Sequence, residues 1–340
     1  MAKPGDSVIA IDMGGTSLKW DLIGIDELSN GPREHKVQMV PLDSAGPAAC
    51  ILETLAQTIE AAFQAAREGH HAVIGIGIST PGPFDLKAGV PLMEHKYRSI
   101  HGINIRGEIR RRVALSEELP IVFEYDMDAF LIGEAYHGAA RGYGRVIGIT
   151  LGSGFGSAFM VEGRIVRSGC GVPADGAIWR MPLDGGIVDD KLSHRGIVST
   201  YCTLRGGTAV PGDLDVKSIA ELARAGDSTA LRVFAEFGSV LGQVLMPIAR
   251  EFRAECLVFG GQISKSFSLF IPTLHRELEA VGSLRKVCCA EMPDLAPLYG
   301  VAMSVARETN NFREMKDYHE EINDGNGHNN EDWHSDEAGW

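Results

Sequence analysis

A glycine that closes a run of β-branched residues lets backbone N–H groups approach an anion with no Cβ in the way, and successive N–H groups form a concave anion site. The chain does this twice. Val8 to Lys19 reads VIAIDMGGTSLK and Val146 to Ser157 reads VIGITLGSGFGS. Both share one register: a β run, a polar residue (Asp12 or Thr150), an apolar residue, a glycine-rich turn and a second strand. Two facing turns of this kind make a phosphate cradle. Asp12, closing the first strand, suits a Mg²⁺ partner acting through water, because Mg²⁺ keeps several waters and takes few protein carboxylates. The run Gly152-x-Gly154-x-Gly156 imitates a dinucleotide fingerprint, but AFMVEGRIV follows it, a strand where that motif needs a helix.

Other clusters of reactive side chains read as structural. Cys50, Cys170, Cys202, Cys256, Cys288 and Cys289 contain no C-x-x-C pair, so free thiols are expected and a zinc site is not. His319, His328 and His334 lack the i,i+4 spacing of a helical metal site. Arg110, Arg111 and Arg112 share a stretch with Ile105, Ile109 and Val113 at four-residue spacing, which predicts an amphipathic helix with its arginines outward.

The elements that must position the turns follow from pattern. Each repeat reads as a β-hairpin, and the two lie about 138 residues apart, which predicts a duplicated α/β architecture. Between them come a helix from Ala48 to Arg67 stopped at Gly69, a strand from Ala72 to Ile78 and a proline-bound loop from Ser79 to Pro83. Leu119 to Phe123 follows as a strand, then a helix from Ala129 with Asp128 suited to its N-cap. The second hairpin leads into a loop-rich stretch from Gly169 to Gly196, then helices from Val216 to Ala225 and from Ser228 to Phe252. A strand from Glu255 to Phe259 enters Gly260-Gly261, and a helix from Leu295 to Arg307 closes the pattern, as expected for mixed sheets covered by helices.

With 340 residues, 44% hydrophobic and 23% charged, the chain is globular in composition and long enough for two domains. The expected division is a smaller lobe over 1–128, a larger lobe over 129–294, a helix over 295–308 packing back on the first, and an acidic, disordered tail over 309–340. The formal charge of −13 argues against a nucleic-acid partner. The uncharged apolar runs, Val73 to Ile78 and Phe237 to Ala249, fall short of the ~20 residues of a membrane span, and MAKPGDSV has no signal-peptide core. A cytoplasmic protein with no membrane partner is expected.

Five segments in order, IDMGGTSLK, GIGISTPGPFD, EYDMDAFLIGEA, ITLGSGFG and LVFGGQIS, resemble the ROK family of sugar kinases within the actin-like ATPase superfamily, from about Ser7 to Glu308. The resemblance implies a two-lobed, ribonuclease H-like α/β fold with a cleft between duplicated domains, and an ATP- and Mg²⁺-dependent kinase. By the same resemblance, Asp12, Gly14, Gly15 and Thr16, with Gly152, Ser153 and Gly154, hold the nucleotide phosphates, and Gly260, Gly261 and Gln262 lie by the adenosine. The family's catalytic aspartate falls on Asp126, just past a strand, where a side chain can take the proton from an acceptor hydroxyl. The acceptor pocket is then expected among Ser79, Thr80, Pro81, Gly82, His95, Lys96, Tyr125 and Arg180.

Departures from the family pattern bear on the acceptor. The family's Gly-Glu-Ile-Gly-His stretch corresponds to Gly176-Ala177-Ile178-Trp179-Arg180, its cysteine-rich zinc cluster is missing, and the Asn before the catalytic aspartate is Tyr125. An atypical member is implied, phosphorylating a primary hydroxyl of a hexose or hexose-like ring. Glucose, an amino sugar such as kanosamine and a C7-cyclitol of the valiolone type stay open, as does a homodimer. Sugar-sensing repressors of the family need a helix-turn-helix ahead of the first hairpin, and six residues precede Ser7. A catalytically silent sugar- or ATP-binding protein is the other class, against which Asp126 and both turns speak.

Overall fold

A computed structural model describes residues 5–33, 36–94, 96–207 and 214–309. The tail over 310–340 and the pocket candidate His95 lie outside the described residues.

Both glycine-rich segments are β-hairpins. Strand β1 (Asp6–Met13) runs antiparallel to β2 (Ser17–Gly24) with Asp12 opposite Lys19. Its continuous apolar run reflects burial on both faces: Val8 and Ala10 enter one core, Ile9 and Ile11 another. The first sheet adds β3 (Gln38–Pro41), β4 (Ala72–Thr80) and β5 (Ile121–Tyr125), in the order β3-β2-β1-β4-β5. The second consists of β6 (Arg145–Leu151), β7 (Phe155–Val161), β8 (Arg164–Val166), β9 (Cys256–Gly260) and β10 (Lys286–Cys289), in the order β8-β7-β6-β9-β10. In each sheet the three leading strands pair antiparallel and the last two join in parallel. One topology is thus built twice.

Helices form three layers around these sheets. After α1 (Ile25–Asn30), helices α2 (Ala48–Glu68) and α3 (Ile105–Val113) cover the outer face of the first sheet, where Leu55, Ile59 and Ile109 meet Ile9, Ile11 and Ile76. Beyond α4 (Asp126–His137) and the single turn α5 (Val188–Lys191), helices α6 (His194–Leu204), α7 (Val216–Arg224), α8 (Ser228–Phe252) and α9 (Phe267–Leu278) cover the outer face of the second. Between the sheets α4 crosses the last helix, α10 (Ala296–Glu308), in a core that takes Val8 and Ala10 from one side and Val146, Ala158 and Val258 from the other. The crossing is close because each helix offers a glycine to the other. A Cβ on Gly300 would stand 1.9 Å from the Ala129 carbonyl oxygen, and one on Gly133 2.1 Å from that of Ala296.

Several sequence expectations shift. Strand β4 continues through Thr80 because Ser79 and Thr80 pair with Glu124 and Tyr125, so the loop is shorter than the prolines implied. Strand β5 therefore ends at Tyr125 and α4 begins at Asp126, three residues earlier than expected. Asp128 is not the N-cap: it sits in the first turn, buried, and its carboxylate is taken by Arg167. The arginines of α3 are not a bare solvated face either. Arg110 donates to the Leu119 carbonyl at 2.9 Å, while Arg111 and Arg112 pair with Glu108 at 2.7 and 3.1 Å. Helix α8 is long and apolar enough to cross a bilayer by length and composition, although its uncharged run is shorter than a span. Half of that apolar stretch is buried, with Phe234, Leu241 and Leu245 in the core of the second half.

Candidate active site

Asp126 stands where β5 turns into α4, its Oδ1 accepting from the Met127 amide at 2.8 Å. The residue reaches solvent yet is ringed by protein, as a side chain on the floor of a cleft is. Loss of hydration, reinforced by the Asp12 carboxylate, raises its pKa to about 6, against the opposing pull of the Met127 amide and the Lys96 ammonium. Asp12 lies at the end of β1, where Ser79 Oγ donates to its Oδ1 at 2.7 Å. Burial raises the Asp12 pKa too, with Ser79 and Lys19 acting the other way. Lys19 in turn pairs with Asp294 at 2.7 Å.

The first turn is closed by a Gly14 N–H to Ser17 O bond of 3.0 Å, and a Cβ on Gly14 would stand 2.9 Å from that oxygen, so the turn itself demands glycine. Gly15 differs. A Cβ there would meet only Lys96 Cε at 3.7 Å, Ser44 Oγ at 3.8 Å and Lys96 Nζ at 3.9 Å, which leaves its face open beside an ammonium. Thr16, at the tip, is exposed.

The second turn is closed by Gly152 N–H to Gly154 O at 3.0 Å, while Gly152 O accepts from the His194 amide at 2.9 Å. Asp189 braces it from α5: one oxygen accepts from the Phe155 amide at 2.6 Å and the other pairs with Arg195 at 2.8 Å. A Cβ on Gly152 would meet nothing within 4 Å, and Ser153 is exposed. Gly260 and Gly261 stand against this hairpin. A Cβ on Gly261, whose φ is +85°, would lie 2.4 Å from Leu151 O, and one on Gly260 2.7 Å from the Phe130 ring. Gln262, next along, is exposed.

On the other side of Asp126, Tyr125 donates its hydroxyl to Phe84 O at 2.8 Å, and its ring lies 3.1 Å from where a Cβ on Gly82 would be. The Arg167 guanidinium sits 4.8 Å over that ring while pairing with Asp128. Ser79 and Thr80 are fully buried, Ser79 spent on Asp12 and Thr80 closing back on the Pro81 carbonyl at 3.4 Å; Pro81 is buried as well. Asp12, Ser79, Gly14, Gly15, Lys96 and Asp126 are thus brought together, as are Tyr125 and Gly82. Arg180 is placed differently: at the end of a 3-10 turn its Nη2 donates to Ala174 O at 2.8 Å and pairs with the exposed Asp175 at 2.7 Å, with no hydrogen bond or ion pair to Asp126, Tyr125 or Gly82.

Arg167 and Asp189 were missed from the sequence, since each acts through a partner distant in the chain and lies in a stretch without periodicity. Among the described residues no group of three or more His, Cys, Asp or Glu side chains converges, so a Mg²⁺ ion here would rest mainly on water and phosphate oxygens. Asp12 fits that part: one of its oxygens accepts no hydrogen bond from any described residue, and its neighbour Asp126 feels its charge.

Duplicated sheets whose glycine turns flank a carboxylate of raised pKa define an actin-like α/β fold arranged for phosphoryl transfer. The chain belongs to the ROK family, whose model matches residues 8–306. It is 26% identical over 328 residues to a glucokinase of Streptomyces coelicolor, covering 88% of this chain and 97% of that one. The solved structure of a ROK hexokinase from Thermus thermophilus superposes with a TM-score of 0.72 at 20% identity, over 90% of this chain and 99% of the other. A ROK glucokinase from Streptomyces griseus, solved in complex with glucose and AMPPNP, gives 0.67 at 25% identity, over 88% and 98%.

Proposed function

We propose that this protein transfers the γ-phosphoryl group of ATP to a primary hydroxyl of a hexose or hexose-like ring. The observation that carries the reading is Asp126, held at the floor of the cleft beside Asp12 and Lys96, with a pKa of about 6 that leaves it ionised at neutral pH but still basic. In this mechanism Asp126 accepts the proton of the acceptor hydroxyl, the acceptor oxygen bonds to the γ-phosphorus, and the bond to the β,γ-bridging oxygen breaks to release ADP. The N–H groups of Gly15 and Thr16 and of Gly152 to Gly154 hold the phosphates, and the Gly260-Gly261-Gln262 turn, packed on the second hairpin, lies by the adenosine. Mg²⁺ beside Asp12 would supply charge neutralisation on the phosphates. Residues 1–128 and 129–294 are the two lobes in this reading, and the enzyme works in the cytoplasm, where ATP is supplied.

The relatives named glucokinase support a hexose acceptor. A second acceptor class, an amino sugar or a C7-cyclitol, is supported by the departure at Gly176-Ala177-Ile178-Trp179-Arg180, where the carboxylate and imidazole of the family's stretch are replaced. An ATP-consumption screen over glucose, mannose, glucosamine, kanosamine and valiolone-type cyclitols decides among them. Turnover with one of these is expected; ATP binding without turnover on any acceptor would leave a silent binding protein.

A further inference from the structure

We propose that Lys96 contacts the transferred γ-phosphoryl group and stabilises its charge during transfer, a catalytic role on the nucleotide side of the cleft rather than in the acceptor wall. The inference rests on the kinase reading and adds a residue to it.

Its ground is how the chain holds this ammonium. Tyr97 is fully buried in a left-handed conformation, φ +55°, a strained choice for a non-glycine residue. Three bonds fix it to the first turn: its amide donates to Ser44 O at 2.9 Å, the Ser44 amide donates to Gly15 O at 3.2 Å, and its hydroxyl donates to Gly14 O. Lys96, the residue before it, is therefore clamped to the turn, with Nζ 3.9 Å from the place a Gly15 side chain would occupy. Half-buried as it is, the ammonium makes no hydrogen bond or ion pair with any described residue, although Asp12 and Asp126 stand in the same cleft. A cation held beside an open glycine turn is arranged for an anion. Its influence also reaches Asp126, whose pKa it lowers, so one side chain spans the turn and the base.

The test uses the full-length chain with Lys96→Gln and Lys96→Arg. In equilibrium titrations without acceptor, Lys96→Gln should weaken ATP binding by about 10- to 150-fold, the range for a lost charged hydrogen bond, and leave ADP binding within about twofold, which also reports an intact fold. Turnover at saturating acceptor should fall by roughly 10²- to 10³-fold with acceptor KM nearly unchanged, and Lys96→Arg should recover part of it. Equal losses for ATP and ADP, or no loss for ATP, would overturn the assignment. So would a raised acceptor KM with turnover intact, which returns Lys96 to the acceptor wall, or a shifted acid limb with an unchanged plateau, which makes it only a tuner of Asp126. If the unaltered protein binds neither nucleotide, the kinase reading falls before any variant is compared.

Discussion

Replacing Asp126 by Asn keeps the shape of the side chain and an oxygen for the Met127 amide, but removes the ability to take up a proton. Turnover should fall by about 10² to 10⁴, the contribution of a positioned general base, with ATP affinity nearly intact. The unaltered enzyme should lose kcat/KM as pH drops through about 6, where Asp126 takes up its proton. Stability moves the other way. The carboxyl ionises near 3.8 in an unhindered chain and near 6 here, so folding favours its protonated form, and the ionised form costs stability above about pH 6. Below about pH 4 that cost is absent. Asp126→Asn should therefore match or slightly exceed the parent Tm at pH 7.5 and show no difference near pH 4. The gain stays small because the group reaches solvent. Coupled ADP-release assays across pH and calorimetric melts of both proteins read this out. Near-parental turnover, an acid limb below about pH 4.5, or a lower Tm for the variant at pH 7.5 would refute the reasoning.

Gly152→Val places a branched side chain in open space on the second turn, so ATP affinity should drop about tenfold or more with the fold retained; unchanged affinity in a nucleotide titration would remove this turn from the phosphate site. Gly300→Ala drives a methyl into the Ala129 carbonyl, and urea unfolding should record a loss of roughly 1 to 3 kcal/mol despite the better helix propensity of Ala; equal stability would mean the helices part without penalty. Arg180→Ala removes an exposed pair with Asp175 and should change acceptor kcat/KM by less than about fivefold, whereas a loss beyond tenfold would mean that Arg180 swings to the acceptor on binding.

What the sequence discloses here depends on whether the cause is local. Helix α8 was expected with its observed bounds because its limits are short-range: Asp227 accepts from the Ala230 amide at the start, and Arg253 turns left-handed at the end. The hairpins were legible because Val/Ile runs bounded by glycine have few other solutions. The start of α4 was misplaced because Asp128 has the chemistry of a cap and spends it on Arg167, a partner 39 residues away. Asp126 was found through family resemblance; its elevated pKa, set by loss of hydration and then by Asp12, is not written in its neighbours. Lys96 was legible as a pocket residue, but which ligand it faces depends on Tyr97 being fastened to Gly14 and Ser44, partners far from it in the chain.

The repeated sheet also sets up a comparison between equivalent places that have opposite contents. In the first sheet Asp12 is opposite Lys19 on one side and Ser79 on the other, a set of charged and polar groups. The corresponding places in the second hold Thr150, opposite Gly156 and Gly260. Had both copies kept the acid, two carboxylates would face one polyanion and repel it from both ends. The symmetry is broken instead, so that one copy concentrates charge and the other is hollowed out. A molecule that is itself lopsided, ionic at one end and flat and neutral at the other, meets different surroundings in its two orientations there. In the kinase reading, this difference between two halves of one design distinguishes the charged end of the nucleotide from the neutral one.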